Sequence, residues 1–238
     1  MTDPTTEDRA PSDLIKPVVD LVSTGPVLLG AYTLAEIAAV GGRIDWLERA
    51  PGPEELAEAV RSLAARDLIT TEAGEVHIEV RGDIGIGLAF QQRSRVILDA
   101  RVTGTEPDTP WRFMLMPQPE QITLDIQIDA LGIYFYALRK TSVALSRLME
   151  QLPRGERGPA DAELDPVLAA SPRTALVTVT HWSDDGARET TDLILASLEE
   201  RLHVFSRDPE NPQRFVAQAL DRGEVRRLIE RLIAQVPA

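Results

Sequence analysis

The sequence predicts an α+β protein whose antiparallel central sheet is built from two pseudo-symmetric halves, each a strand meander closed by a helix. Three observations carry this. Residues Ser94 to Pro153 read as short strands running into an amphipathic helix, and Pro172 to Pro237 repeat that order. The first copy ends Arg147-Leu148-Met149-Glu150-Gln151-Leu152-Pro153 and the second Arg231-Leu232-Ile233-Ala234-Gln235-Val236-Pro237, with Arg, Leu, Gln and Pro at matching places. Each is preceded by an Ala-Leu pair, Ala137-Leu138 and Ala219-Leu220, followed at the same spacing by Val143 and Val225. The expected organisation is a tail at 1–12, an N-terminal half at 13–153, a connection at 154–171 and a C-terminal half at 172–238. The two halves pack as one domain.

Taken in order, the acidic opening lacks the basic start and apolar centre of a secretory signal and reads as a disordered tail. Leu14, Ile15, Val18, Val19, Leu21 and Val22 suggest a short helix or buried segment, broken at Pro17 and at Gly25-Pro26. Thr33 and Glu36 have capping-box spacing, so a helix starts there and runs to Gly41-Gly42. Pro53, Glu54 and Glu55 open a firmer helix, whose Leu56, Ala59, Val60, Leu63 and Ala64 follow the spacing of a buried face. A hairpin follows: Leu68-Ile69, a turn at Glu72-Ala73-Gly74, then Val76, Ile78 and Val80 in alternation. Helix plus hairpin is the order of a winged-helix segment. Asp83 to Gln92 fits a helix or a buried strand equally well, with Gly82, Gly85 and Gly87 weakening both.

The first meander comprises Arg95–Val102, Trp111–Met116, the cleanly alternating Ile122, Leu124, Ile126 and Ile128, and Gly132–Ala137, with a helix to Leu152. The connection carries one turn of helix at Asp161–Leu168. The second meander comprises Ala175–Thr180, a turn at Ser183-Asp184-Asp185-Gly186, then Glu189–Leu198, Arg201–Phe205 and Arg214–Gln218. Asp221 and Glu224 cap the closing helix, which aligns Val225, Leu228, Ile229, Leu232 and Ile233. Helices on one face suit such a sheet, leaving the other for water or a partner.

Chemistry is sparse. A formal charge of −13 without a long basic cluster argues against nucleic acid and anionic membranes as partners. The absence of cysteine excludes disulfides and thiolate chemistry and fits a reducing cytoplasm, the expected location. No apolar run approaches the roughly 20 residues of a membrane span. His77, His181 and His203 lack ligand-spaced neighbours, and the Asp184-Asp185-Gly186 run near His181 is explained as a turn. Gly82, Gly85 and Gly87 lack both the Lys-Ser/Thr of a Walker loop and the spacing of a dinucleotide fingerprint. There is no Gly-x-Ser-x-Gly elbow, and Glu199-Glu200 is an ordinary acidic surface pair. No enzymatic activity, cofactor or metal is expected.

The remaining signal is apolar surface. Trp111, Phe113 and Leu115 point one way from their strand while Met114 and Met116 point the other, so both faces are covered; Tyr134, Phe135 and Tyr136 crowd another strand. The run from Pro53 through Leu68-Ile69, a short acidic turn, an apolar segment and then Arg95-Val96-Ile97-Leu98-Asp99-Ala100-Arg101 resembles the N-terminal half of EspG-type ESX (type VII) secretion-associated chaperones. The closing Asp221–Val236 helix is similar too. That resemblance implies a cytoplasmic chaperone with two pseudo-symmetric halves, gripping the hydrophobic tip of a helical substrate of PE/PPE or WXG-like type. Carried onto this chain, the partner-binding residues are Gly104, Thr105, Pro107 and Pro110 of the first loop, with Trp111, Met114 and Met116 beside them. Two other readings stand: a winged-helix regulator touching DNA through Pro53 to Val80, and a hydrolase or isomerase with its site between the halves.

Overall fold

A computed structural model describes residues 12–42, 50–71, 78–107, 109–183 and 186–234. In chain order the elements are α1 (Ser12–Thr24), β1 (Val27–Thr33), α2 (Leu34–Ala39), α3 (Pro53–Ala65), β2 (Ile69–Thr71), β3 (Ile78–Val80) and α4 (Gly82–Arg93). The first meander is β4 (Val96–Val102), β5 (Arg112–Pro117), β6 (Ile122–Ile128) and β7 (Ile133–Lys140), closed by α5 (Thr141–Gln151). The connection holds β8 (Glu156–Arg157) and α6 (Leu164–Ala170). The second meander is β9 (Arg173–Trp182), β10 (Arg188–Leu198), β11 (Arg201–Arg207) and β12 (Phe215–Gln218), closed by α7 (Arg222–Ala234).

Among the described residues the central sheet has ten strands in the order β1-β7-β6-β5-β4-β9-β10-β11-β12, with β8 beside β11. The two meanders thus run outward from a common seam, their first strands paired antiparallel with Leu98 opposite Val179 and Ala100 opposite Val177. Both closing helices lie on one face. Leu145 and Leu148 of α5, with Ile229 and Leu232 of α7, bury against Leu98, Phe113, Val177 and Leu195. The Arg147/Arg231 alignment therefore matches equivalent buried positions. The Ala-Leu and Val echoes do not. Ala137-Leu138 lie within β7 whereas Ala219-Leu220 follow β12, and Val143 is 44% exposed while Val225 is buried.

The other face is covered as well, which corrects the one-sided expectation. Met114, Met116, Leu124, Ile126 and Tyr136 pack beneath Ile37 of α2, Leu63 of α3 and Ile84 and Phe90 of α4. Val167 of α6 covers Phe205 and Ala196 of the second meander. Between these covers lie ion pairs: the buried Arg112 grips Asp99 at 2.7 and 2.8 Å, and Arg207 grips Asp192.

Three segments depart from expectation. Pro17 does not break α1; sitting early in the helix, it removes only one hydrogen bond near the N-terminus, and the helix stops at Gly25-Pro26 as expected. Residues 27–33, for which the sequence offers no element of their own, form the edge strand β1, because pairing with β7 satisfies their backbone. Residues 82–93 are helical despite three glycines. A Cβ at Gly87 would stand 2.8 Å from the Tyr136 ring, so glycine here lets the α4 backbone lie on the sheet. The Thr33/Glu36 capping box is present, although α2 ends at Ala39, before Gly41-Gly42. The turn at 72–74, Val76, His77, Asp184, Asp185 and the tail at 1–11 lie outside the described residues.

Candidate functional site

The predicted contact residues separate. Met114 and Met116 have no exposed surface; they fill the core under α4 and offer nothing to a visitor. The loop after β4 is fastened to the start of β9: Thr103 N–H donates to Thr174 O at 2.9 Å, and the two hydroxyls lie 2.7 Å apart. Gly104, at φ +68°, abuts the Pro172 carbonyl so closely that a Cβ would lie 2.1 Å from its oxygen. Pro107 is exposed, while Thr105 and Pro110 are half-buried. Trp111 remains at the surface, 37% exposed, its indole N–H donating to Asp129 O at 2.9 Å.

An open flank lies elsewhere, beside α5, where the helix layer stops short of the sheet edge. Its floor is set by register: Asp125 is opposite Ala137, Gln127 opposite Phe135, Leu28 opposite Ala137 and Ala31 opposite Phe135, so all share one face. These residues, with Gly30, Tyr136 and Arg139, line a hollow of about 280 Å³. A second hollow of about 160 Å³ continues it towards the end of α1, lined by Val22, Pro26, Lys140 and Val143 and sharing Arg139. Leu28 is 72% exposed and Phe135 45% exposed. Trp111 stands on the same face one strand further in, two residues along from Phe113, which is opposite Gln127. Leu28 and Phe135 thus stand exposed over the first hollow and Val143 over the second, while Trp111 is exposed on the same face outside both.

Beneath this groove Asp125 is almost wholly buried. It accepts from Arg139 Nε at 2.8 Å and Gln127 Nε2 at 3.1 Å. Burial pushes its carboxyl above the usual aspartate range, and the attraction of Arg139, Gln127 and the more distant Arg147 only partly offsets this. The pair stiffens the floor of the groove. Its oxygens are thus already engaged by Arg139 and Gln127.

Two buried histidines lie elsewhere, each with an Nδ1 that finds no hydrogen-bond partner among the described residues. His181 Nε2 lies 2.7 Å from Leu232 O near the end of α7; since a carbonyl only accepts, Nε2 carries the proton. His203 is buried, and burial followed by the nearby Arg201 holds its pKa below the usual value. Among the described residues no three His, Asp or Glu side chains are gathered as metal ligands. A concavity of about 600 Å³ between α2, α3 and the β6–β7 turn is lined by Glu36, Glu55, Glu58 and Ser62. Glu36 there is spent on Ser62, Arg66 and its own helix cap. None of these three hollows straddles the β4–β9 seam, where a site between the halves was expected. Helix α3, which a winged-helix reader would present to DNA, exposes Glu54, Glu55 and Glu58, and its Arg61 and Arg66 are paired with Glu58 and Glu36.

Phe135 was visible in the sequence only as the middle of an aromatic triplet. Strand alternation separates it from Tyr134 and Tyr136 and sets it with Asp125 and Gln127. Leu28 carries no such signal, because residues 27–33 show no clean alternation of their own. Comparison of the sequence with protein-family models finds no match, and comparison with curated proteins finds none either.

Proposed function

We propose that this chain is a non-enzymatic binding protein of the EspG-like chaperone type, which holds an apolar helical segment of another polypeptide until it is delivered. The observation that carries this reading is the groove beside α5, where Leu28 and Phe135 stand exposed over a hollow lined by strand residues alone, with Val143 lining its continuation and Trp111 exposed on the same face. The backbone groups of β6 and β7 beneath that face are already used in the sheet ladder. A visitor must therefore satisfy its own backbone, which a helix does and an extended strand does not. Trp111 is kept from the resemblance as a contact, while Phe135 and Leu28 take the place of the buried Met114 and Met116. The proposed partner is a PE/PPE or WXG-like helical protein met in the cytoplasm.

The test is co-expression with a PE/PPE pair or a WXG-like protein, followed by mass determination in solution and hydrogen exchange. A defined complex with protection confined to residues 27–33 and 133–140, lost in Phe135→Asp, supports the reading. A complex that leaves those strands unprotected, or that survives Phe135→Asp unchanged, refutes it.

A further inference from the structure

We infer that the helical segment held beside α5 is acidic along one flank, its carboxylates meeting Arg147 and Lys140 while its apolar face meets Phe135, Leu28 and Val143. This rests on the binding reading above and specifies its partner.

Val143 and Arg147 are four residues apart on α5 and so stand one above the other on the same side of the helix. Val143 lines the groove, and Arg147 is near enough to Asp125 to act on its carboxyl. The opposite side of α5 is taken by α7, through Arg226 to Ser146 at 3.2 Å and Arg222 to the Met149 carbonyl. The flank of α5 beside the groove therefore carries an exposed guanidinium, Arg147, that holds no ion-pair partner among the described residues. Lys140 adds a second cation at the mouth of the continuing hollow. The acid on the floor, Asp125, is spent on Arg139. In a chain of net charge −13, the groove is thus a local exception. Screening limits the repulsion of the remote acids to about 8 Å at physiological salt, so the cations beside the groove decide which flank is accepted.

A helix laid beside α5 has about 16 Å of neighbour to match, the length of its 11 residues. The probe is a set of three fluorescent, side-chain-stapled helical peptides of about 14 residues. They share one Leu/Phe face and carry Glu, Gln or Lys along the flank. Anisotropy titration at low salt is expected to rank them Glu, Gln, Lys. Exposed ion pairs are worth enough for a step of about threefold to tenfold between the extremes. Arg147→Glu, at an exposed position and checked for an unchanged melting temperature, is expected to reverse the order. Equal affinities, or tighter binding of the Lys peptide to the native chain, overturn the acidic assignment while Phe135→Asp still abolishes binding. Should none of the peptides bind, or should Phe135→Asp leave binding intact, the groove itself is overturned and the assignment with it.

Discussion

Arg139 of β7 donates its Nε–H to Asp125 of β6 across 2.8 Å, with both side chains almost sealed from water, in the same hollow over which the Phe135 ring stands exposed. Their side chains are 12% and 3% exposed, so each charge depends on the other. Asp125→Ala is expected to destabilise the fold by about 3–5 kcal/mol, because it strands a buried guanidinium, and Asp125→Ala with Arg139→Met to recover much of that loss. Denaturant unfolding of the single and double variants measures the coupling. Additive losses would mean the pair is not coupled.

The same carboxyl sets a pH dependence. Its folded pKa lies above the unfolded value, so the folded state holds the proton more tightly. Its contribution to stability is complete below the unfolded pKa and is lost as pH rises through the folded one. The stability of the native chain relative to Asp125→Asn should therefore fall from acid towards neutral pH in urea titrations. A rise over that range would show the carboxyl to be held low by Arg139 instead.

Two glycines of α4 should respond in opposite senses. At Gly87 a methyl would press on the buried Tyr136 ring at 2.8 Å, whereas at Gly85 it meets Val80 O at an ordinary 3.7 Å. Gly87→Ala is expected to cost about 1 kcal/mol net, overpacking outweighing the gain in helix propensity. Gly85→Ala is expected to stabilise by about 0.5–1 kcal/mol. Thermal melts of the two variants decide it, and equal shifts would show that α4 does not rest on Tyr136.

The two sides of the first meander can be told apart by stability alone. Met114→Ala and Met116→Ala should each cost about 2–5 kcal/mol, as cavities in a closed core do. Phe135→Ser, on the open face, should change stability by no more than about 1 kcal/mol. Small losses at both methionines would put them back among the candidate contacts.

His181→Leu removes the N–H that holds the last turn of α7. The expected loss is about 0.5–1.5 kcal/mol, with faster amide exchange concentrated at residues 229–234. Exchange unchanged there would mean that the contact does not secure the helix end.

Much of this molecule can be read locally. Alternation in Ile122–Ile128 announces a strand, Thr33 with Glu36 and Asp221 with Glu224 announce helix starts, and the Arg147 and Arg231 stretches announce the two closing helices. Each rests on contacts within a few residues, so the pattern survives without knowledge of the fold. Three things were settled only by tertiary packing. The edge strand β1 has no alternation of its own and exists because β7 lends it hydrogen bonds. The glycine-bearing α4 is helical because Gly87 must lie against Tyr136, a partner 49 positions away in the chain. The exposure of Phe135 and Leu28, and the burial of Met114 and Met116, depend on which face α2, α3 and α4 cover and where α5 stops. Periodicity tells which side chains share a face; only the completed sheet and its covers tell which of those faces is left open.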